Sequence, residues 1–299
     1  MSLEEKIMYI VSGATGQTGS VVAKTMLEKG LPVRVIVRSE EKGKPWKNLG
    51  AQVAVADLQD ADALSKALAG GKGLYLMNPT NEQAEDMFVE TERVIKAFQA
   101  AIENSSLEKL VVLSSVGAQH SSGTGPIVTN HLLEQAFRNL NIPTTFVRAA
   151  YFMENWNSVL DTVKSEGVLP SFLQPLDKKI PQIATEDIGR SAAEAMLENS
   201  EGVRITELAG LPYSPNDVAN AFSKVLGKEV TAVPVPEDQW MEIFKTFSSR
   251  RNAEAYVEMT QAVNSGFVTF ETENHIEGKV TIEDYANKAL KLSAAQKSS

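Results

Sequence analysis

An α/β protein built on a doubly wound parallel sheet, with a smaller C-terminal α/β lobe, is the fold this sequence predicts. Three observations predict it. Short apolar runs recur along the first half of the chain and are near-continuous, as strands covered on both faces require. Between them lie segments with apolar residues at helical spacing, such as Met87, Val94, Ile95 and Phe98. The first run, Met8-Tyr9-Ile10-Val11, enters a turn with glycines at 13, 16 and 19 and passes straight into a helical segment, Ser20 to Lys29.

Taken in order, Leu31 to Arg38 reads as the second strand, followed by polar Ser39-Glu40-Glu41-Lys42. Gln52 to Ala56 is the third strand, and a helix capped by Asp60 covers 60–69. Gly73 to Met77 is the fourth strand, stopped by Asn78-Pro79, and a long helix spans about Glu82 to Ile102. Lys109 to Leu113 is the fifth strand, ending in Ser114-Ser115. A Gly/Ser-rich loop, Gly117 to Gly125, leads to a helix over Pro126 to Leu140, and Pro143 to Arg148 is the sixth strand. Right-handed crossovers between parallel strands then predict the order 3-2-1-4-5-6. Residues 1–150 form this sheet domain. Residues 151–299 make mainly a smaller lobe, with some segments returning to the sheet. There Tyr151 to Leu160 and Asp187 to Asn199 read as helices and Arg204 to Leu208 as a strand. Ser214-Pro215 opens a helix running to Leu226, Glu229 to Val235 is strand-like, Glu237 onward is largely helical, and the tail from Ala294 is frayed.

Composition excludes several classes. A net charge of -9 argues against direct nucleic-acid binding and against attraction to an anionic membrane. The chain has no cysteine, so there is no disulfide, no thiol chemistry and no Cys-ligated metal. Its three histidines are scattered without i, i+4 pairing, so no metal site is expected. Met1 to Lys6 holds no apolar signal core and no apolar run reaches membrane-spanning length. A cytoplasmic protein, monomeric or homodimeric, is expected.

Ligands of such sheets bind beyond the strand C-termini, near the point where strand order reverses. The rim so defined carries the turn Gly13-Ala14-Thr15-Gly16-Gln17-Thr18-Gly19, then Arg38-Ser39, Asp57-Leu58, Met77-Asn78-Pro79 and Ser114-Ser115. Gly13 supplies a positive φ, Gly16 lets a diphosphate approach the main chain, and Gly19 lets the helix pack tightly. Free amides of the first helical turn and the helix dipole then favour an anion. Together these predict a dinucleotide. Where NAD-preferring folds place a carboxylate for the ribose 2′-OH, this chain has Arg38-Ser39, which suits a 2′-phosphate. NADP(H) is therefore favoured over NAD(H), with Asp57 and Leu58 placed beside the adenine.

These segments resemble the NmrA-like branch of the extended and atypical short-chain dehydrogenase/reductases, which share a Rossmann fold. The resemblance rests on Gly13 to Gly19, Val33 to Arg38, Val111 to Ala118, Val147-Arg148 with Tyr151 to Asn155, and Ala184 to Gly189, and it continues through Gly227 to Val230 and Val233 to Val235. It implies NADP(H) binding plus one of two roles: reduction of quinones or small carbonyl compounds, or sensing of the nicotinamide redox state with regulation of a partner protein. The superfamily's proton relay is a Tyr-x-x-x-Lys pair after strand five, assisted by a serine. By spacing from Glu134, Pro126 and Asn130 stand in the places of that pair, and Val116 in that of the serine, with Ser114 or Ser115 able to substitute if the register shifts by a residue or two. A quinone-type acceptor, which needs little acid assistance, is thus the expected small-molecule substrate. Substrate-pocket candidates are Asn130, His131, Tyr151, Phe152 and Asn155, with no assigned catalytic residue. His120 reads as a solvated loop residue or a closing group, His275 has no role, Trp156 and Trp240 are core, and Glu186-Asp187 caps the following helix.

Overall fold

The structure, a computed structural model, describes residues 7–79 and 81–296. Strands and helices alternate through the first half: β1 (Met8–Val11), α1 (Gln17–Glu28), β2 (Val33–Val37), α2 (Glu40–Asn48), β3 (Gln52–Val55), α3 (Ala61–Leu68) and β4 (Gly71–Leu76). They continue with α4 (Met87–Glu103), β5 (Lys109–Ser115), α5 (Ile127–Phe137) and β6 (Thr144–Ala149). The second half holds β7 (Tyr151–Phe152), a 3-10 segment (Met153–Val159), α6 (Leu160–Glu166), β8 (Val168–Ser171), β9 (Ile180–Ile183), α7 (Thr185–Leu197) and β10 (Val203–Ala209). After it come β11 (Pro212–Tyr213), α8 (Pro215–Leu226), β12 (Thr231–Pro234), α9 (Glu237–Lys245), α10 (Arg250–Ser265), β13 (Ile276–Glu277) and α11 (Ile282–Gln296).

The central sheet runs β3-β2-β1-β4-β5-β6-β10-β13 with every neighbouring pair parallel. The expected 3-2-1-4-5-6 order is therefore present, extended by two strands from the second half. The register brings the C-terminal ends level: Val11 lies opposite Val35 and Tyr75, and Ala149 opposite Ser115 and Leu208. Successive side chains face opposite sides of a strand. Val11, Val35, Val37 and Tyr75 thus pack with Val22, Met26, Ile188 and Ala192 of α1 and α7 on one face. Ile10, Ile36, Leu74 and Leu76 pack with Leu64, Phe98, Leu133 and Phe137 of α3, α4 and α5 on the other. A separate core gathers Met153, Trp156, Phe222 and Tyr285, beside the small sheets β11-β9-β7 and β12-β8.

Some boundaries differ from expectation, each for a local reason. The long helix α4 starts at Met87 rather than Glu82, because the Asp86 carboxylate accepts the amides of Phe88 and Val89. The polar stretch after β2 becomes α2, with the Ser39 hydroxyl accepting the amide of Lys42. α1 starts at Gln17, inside the glycine motif rather than after it. The helix expected at 151–160 is replaced by β7, whose Tyr151 and Phe152 pair with Gln182 and Ile183 of β9, and then by the 3-10 segment. α7 is capped from outside: the Glu154 carboxylate accepts the Thr185 amide and hydroxyl. Glu186 and Asp187 lie in its first turn and do not cap it. The expectations for Met1 to Lys6, and for the end of the tail from Ala294, lie outside the described residues. Among the described residues no helix is long and apolar enough to cross a membrane.

Candidate functional site

At the end of β1 the backbone of Gly13 takes φ +64, a left-handed conformation that L side chains rarely adopt. A Cβ there would also lie 2.6 Å from Met77 Cγ, so the end of β4 closes directly on the turn. The Gly16 amide donates to Gly13 O at 2.9 Å. A Cβ on Gly19 would stand 2.4 Å from the same oxygen, so only glycine lets α1 start this close to the strand. The end of α1 so placed is open. No side chain caps its N-terminus, its first turn has no acidic residue, and a Cβ built on Gly16 would meet only Gly13 O, at 3.3 Å. Orphan amides in that setting form an anion site. The residues fit a dinucleotide diphosphate, with the amides of Gln17 and Thr18 holding it. Two bonds fix the turn to β4: Ser12 Oγ accepts the Met77 amide at 3.1 Å, and the Tyr75 hydroxyl donates to Thr18 Oγ1 at 3.1 Å. Burial raises the Tyr75 phenol well above its ordinary pKa, against the opposing pull of the Thr18 bond, so it stays a neutral donor.

Along the rim, Arg38 follows β2 and is exposed, and it enters no ion pair among the described residues. Ser39 beside it caps α2, leaving its own hydroxyl proton available. Asp57 forms a local turn, Oδ1 accepting the Gln59 amide at 2.9 Å, and Leu58 packs on the α3 and α4 side of the core. Asn78 donates to Thr91 Oγ1 at 2.8 Å, which ties the end of β4 to α4; Pro79 is exposed.

At the ends of β5 and β6 the sequence reading missed a buried charge cluster. Arg148 is 2% exposed and forms a bidentate pair with Glu134 of α5, Nε to Oε1 at 2.8 Å and Nη2 to Oε2 at 2.7 Å. Its Nη1 donates to Glu271, and Glu207 Oε1 lies 4.0 Å away. Burial alone would lower the guanidinium pKa, but the Glu134 and Glu271 carboxylates outweigh it and hold the charge firmly. Ser114 donates its hydroxyl to Glu134 Oε1, and Ser115 donates to Val116 O. What Ser114 can offer a ligand is therefore main chain. The available signal was an arginine ending an otherwise apolar strand.

The substrate candidates do not form one cluster. Pro126 precedes α5 and Asn130 sits half-buried within it. His131 uses Nδ1 to hold Ala118 O at 2.9 Å, which pins the loop after β5. Tyr151 is half-buried, its ring centroid 6.3 Å from that of Trp156; burial pushes its phenol up to about 12, while the Asn155 side chain pulls the other way. Phe152 packs with Met77 on the α1 and α7 side of the core. His120 is half-buried rather than fully solvated: its ring stacks on Phe267 at 4.3 Å, and Nε2 is buried without a partner. His275 stacks on Phe270 at 4.8 Å. Trp156 and Trp240 are core residues, as expected.

A strap after α10, in a stretch expected to be largely helical, covers this part of the rim. Val268 and Phe270 pack on the core that Met77 and Phe152 border. Glu207 accepts the amides of Glu271 and Thr272 at 2.9 and 3.0 Å, and Asp187 Oδ2 accepts those of Lys279 and Val280 at 2.9 and 2.8 Å. Among the described residues no group of three or more His, Asp or Glu side chains is placed to hold a metal ion.

Comparison with known proteins agrees with this architecture. An NAD(P)H azoreductase of Xenophilus azovorans is 25% identical over 237 residues, 78% of each chain. The structure of an NADPH-dependent quinone oxidoreductase of Escherichia coli in complex with NADPH superposes with a TM-score of 0.73 at 23% identity, covering 95% of this chain and 100% of that one. NmrA, a negative transcriptional regulator in complex with NAD, superposes with a TM-score of 0.71 at 17% identity, covering 99% of both chains. The sequence signature of the NmrA-like family matches residues 5–292, and this chain, with its NAD(P)-type turn and parallel sheet, belongs to that family.

Proposed function

We propose that this chain is a reductase that uses NADP(H) in preference to NAD(H) to reduce quinones or similar small, electron-poor acceptors. The observation that carries the reading is the opening turn: uncapped α1 amides beside an exposed Gly16, with Arg38 exposed at the end of β2. A reduced nicotinamide supplies a hydride when bound. The chain's residues bind and orient: α1 amides hold the diphosphate, Arg38 and the Ser39 hydroxyl take the 2′-phosphate, and Asp57 and Leu58 flank the adenine. Met77, Phe152, Val268 and Phe270, partly buried against one core, would give the acceptor an apolar wall. With Pro126 and Asn130 in the relay positions, a demanding ketone would forgo roughly 10²–10⁴-fold of general-acid assistance. An electron-poor acceptor forgoes far less, because positioning supplies much of the effect. The azoreductase and quinone oxidoreductase among the related proteins bear names that fit such acceptors. Residues 1–150 hold the cofactor, and the lobe built mainly from 151–299 closes the acceptor side.

A second reading, a nicotinamide-sensing regulator that binds a protein partner, is favoured by the same missing relay and draws on the likeness to NmrA. NADPH oxidation with a panel of quinones decides between the two. Turnover supports the reductase. Binding of NADPH by calorimetry with no oxidation by any acceptor supports the sensor, and no binding of either dinucleotide overturns both.

A further inference from the structure

Among the described residues, four buried side-chain polar atoms have no hydrogen-bond partner, and three of them lie in the loop between β5 and α5: Gln119 Oε1, His120 Nε2 and Thr124 Oγ1. Thr124 is fully buried. An unmet buried polar group is costly, and each calls for a partner outside the chain. The loop itself is well determined. Ala118 N donates to Ser115 O, His120 N to Gly117 O, and His131 holds Ala118 O. Gln119 Nε2 donates to Thr269 O and Gly125 N to Glu258 Oε2, so the strap and α10 lie against the loop.

His120 is the most informative of the three. Stacking on Phe267, with an interplanar angle of 28°, occupies a ring face. A ring N–H donates in the ring plane, so the stack leaves the hydrogen bond of Nε2 unmade although the atom itself is buried. The loop leaves β5 at the rim, and a Cβ built on Gly117 would lie 3.1 Å from Val268. Val268 packs on the core that Met77 and Phe152 border, and Phe267 is its chain neighbour. His120 therefore adjoins the wall expected to face the acceptor, in the loop that leads into the helix whose usual relay residues are absent.

We propose that His120 is a catalytic residue of the reductase read above, its Nε2–H donating a hydrogen bond to the carbonyl oxygen of a conjugated acceptor such as a quinone or enone. In the step it assists, the acceptor receives a hydride, and with it two electrons, from reduced nicotinamide dinucleotide. The acceptor's π pair shifts onto the carbonyl oxygen, and that oxygen takes its proton from water. His120 keeps its own proton and stabilises the charge as it develops, the service a fixed donor gives to an oxyanion.

The test compares His120→Phe, which keeps the stack and removes the donor, with His120→Gln, which keeps an N–H. Single-turnover hydride transfer is followed with benzoquinone and with a less electrophilic enone. His120→Phe is expected to slow the enone reaction about 10²-fold and the benzoquinone reaction less, with NADPH affinity unchanged. His120→Gln should restore much of the rate. Independently of turnover, the ¹⁵N signal of His120 Nε2 should shift when hydroquinone is added to the NADP⁺-saturated protein. Unchanged rates in His120→Phe with both acceptors, or an Nε2 signal that hydroquinone does not move because it marks a buried water, would overturn the proposal. If the wild-type protein oxidises no NADPH with any acceptor, the reductase reading fails, and the Nε2 signal alone then decides whether His120 meets the ligand.

Discussion

Replacing Glu134 by glutamine probes the buried charge cluster at the ends of β5 and β6. Glu134 and Arg148 have side chains 1% and 2% exposed, so water cannot substitute for a lost partner. The carboxylate receives Arg148 Nε at 2.8 Å, Nη2 at 2.7 Å and the Ser114 hydroxyl. Glutamine keeps one oxygen and turns an NH2 toward one arm of the fork, so one strong bond becomes a donor–donor contact. Breaking a buried pair from one side costs about 3–5 kcal/mol. Glu271 stays on Nη1 and Glu207 stays 4.0 Å away, which places the expected loss near the lower figure, about 3 kcal/mol. Against a total stability of about 5–15 kcal/mol that is a large fraction. Urea denaturation should show a lower midpoint with an unchanged slope. The double variant Glu134→Leu/Arg148→Met should be less destabilised than the single one. A well-packed apolar pair can replace a buried ion pair at little cost, and Glu207 keeps the Glu271 and Thr272 amides as donors. A single-variant loss under about 1 kcal/mol, or a double variant no better than the single, would refute this reasoning.

Three further outcomes are expected. Gly19→Ala would place a Cβ 2.4 Å from Gly13 O and must push α1 off the turn, so calorimetry should find dinucleotide binding lost or severely weakened while the fold persists by circular dichroism. Arg38→Asp removes a charge-assisted bond worth about 1.5–3 kcal/mol, so NADPH affinity should fall about 10- to 150-fold with NADH little changed; an unaltered preference refutes the assignment. The Lys288 ammonium, bonded at 2.6 Å, and secondarily Arg190 hold the Glu186 carboxyl below its usual range, against the opposing effect of burial. A depressed folded pKa gives stability that is present above the ordinary carboxylate range and lost as pH falls through the lowered value. Urea midpoints of wild type and Lys288→Met should therefore separate at neutral pH and converge in acid, and a constant gap would contradict the pairing.

The parallel strands, the glycine turn and the strand order were legible because each depends on local pattern or on a general rule of chain handedness. Gly13 and Gly19 carry the turn by themselves, and the Asp60 cap was read correctly from the helical stretch that follows it. The misreadings share another cause, long separation in sequence. Tyr151 and Phe152 look helical until β9, about thirty residues on, offers them a ladder. Asp187 looked like a cap, but its oxygen is taken by amides some ninety residues away. Ser114 reads as a rim residue that could stand in for the missing serine and is instead a donor to Glu134, a contact set by the packing of α5 on β5. His120 could not be placed, because its partner Phe267 belongs to a segment with no strong periodicity of its own.

The strap is fastened through peptide N–H groups lodged on Glu207 and Asp187, and through the short ladder of β13 on β10. Apart from Glu271 and Thr272, whose side chains also bond Arg148 and Glu207, these fastenings use the main chain of the strap. Phe267, Val268 and Phe270 carry none of these polar fastenings, so relatives of this chain could retune which molecules they admit by exchanging these few apolar positions for others of similar bulk while every hydrogen-bonded point stays as it is.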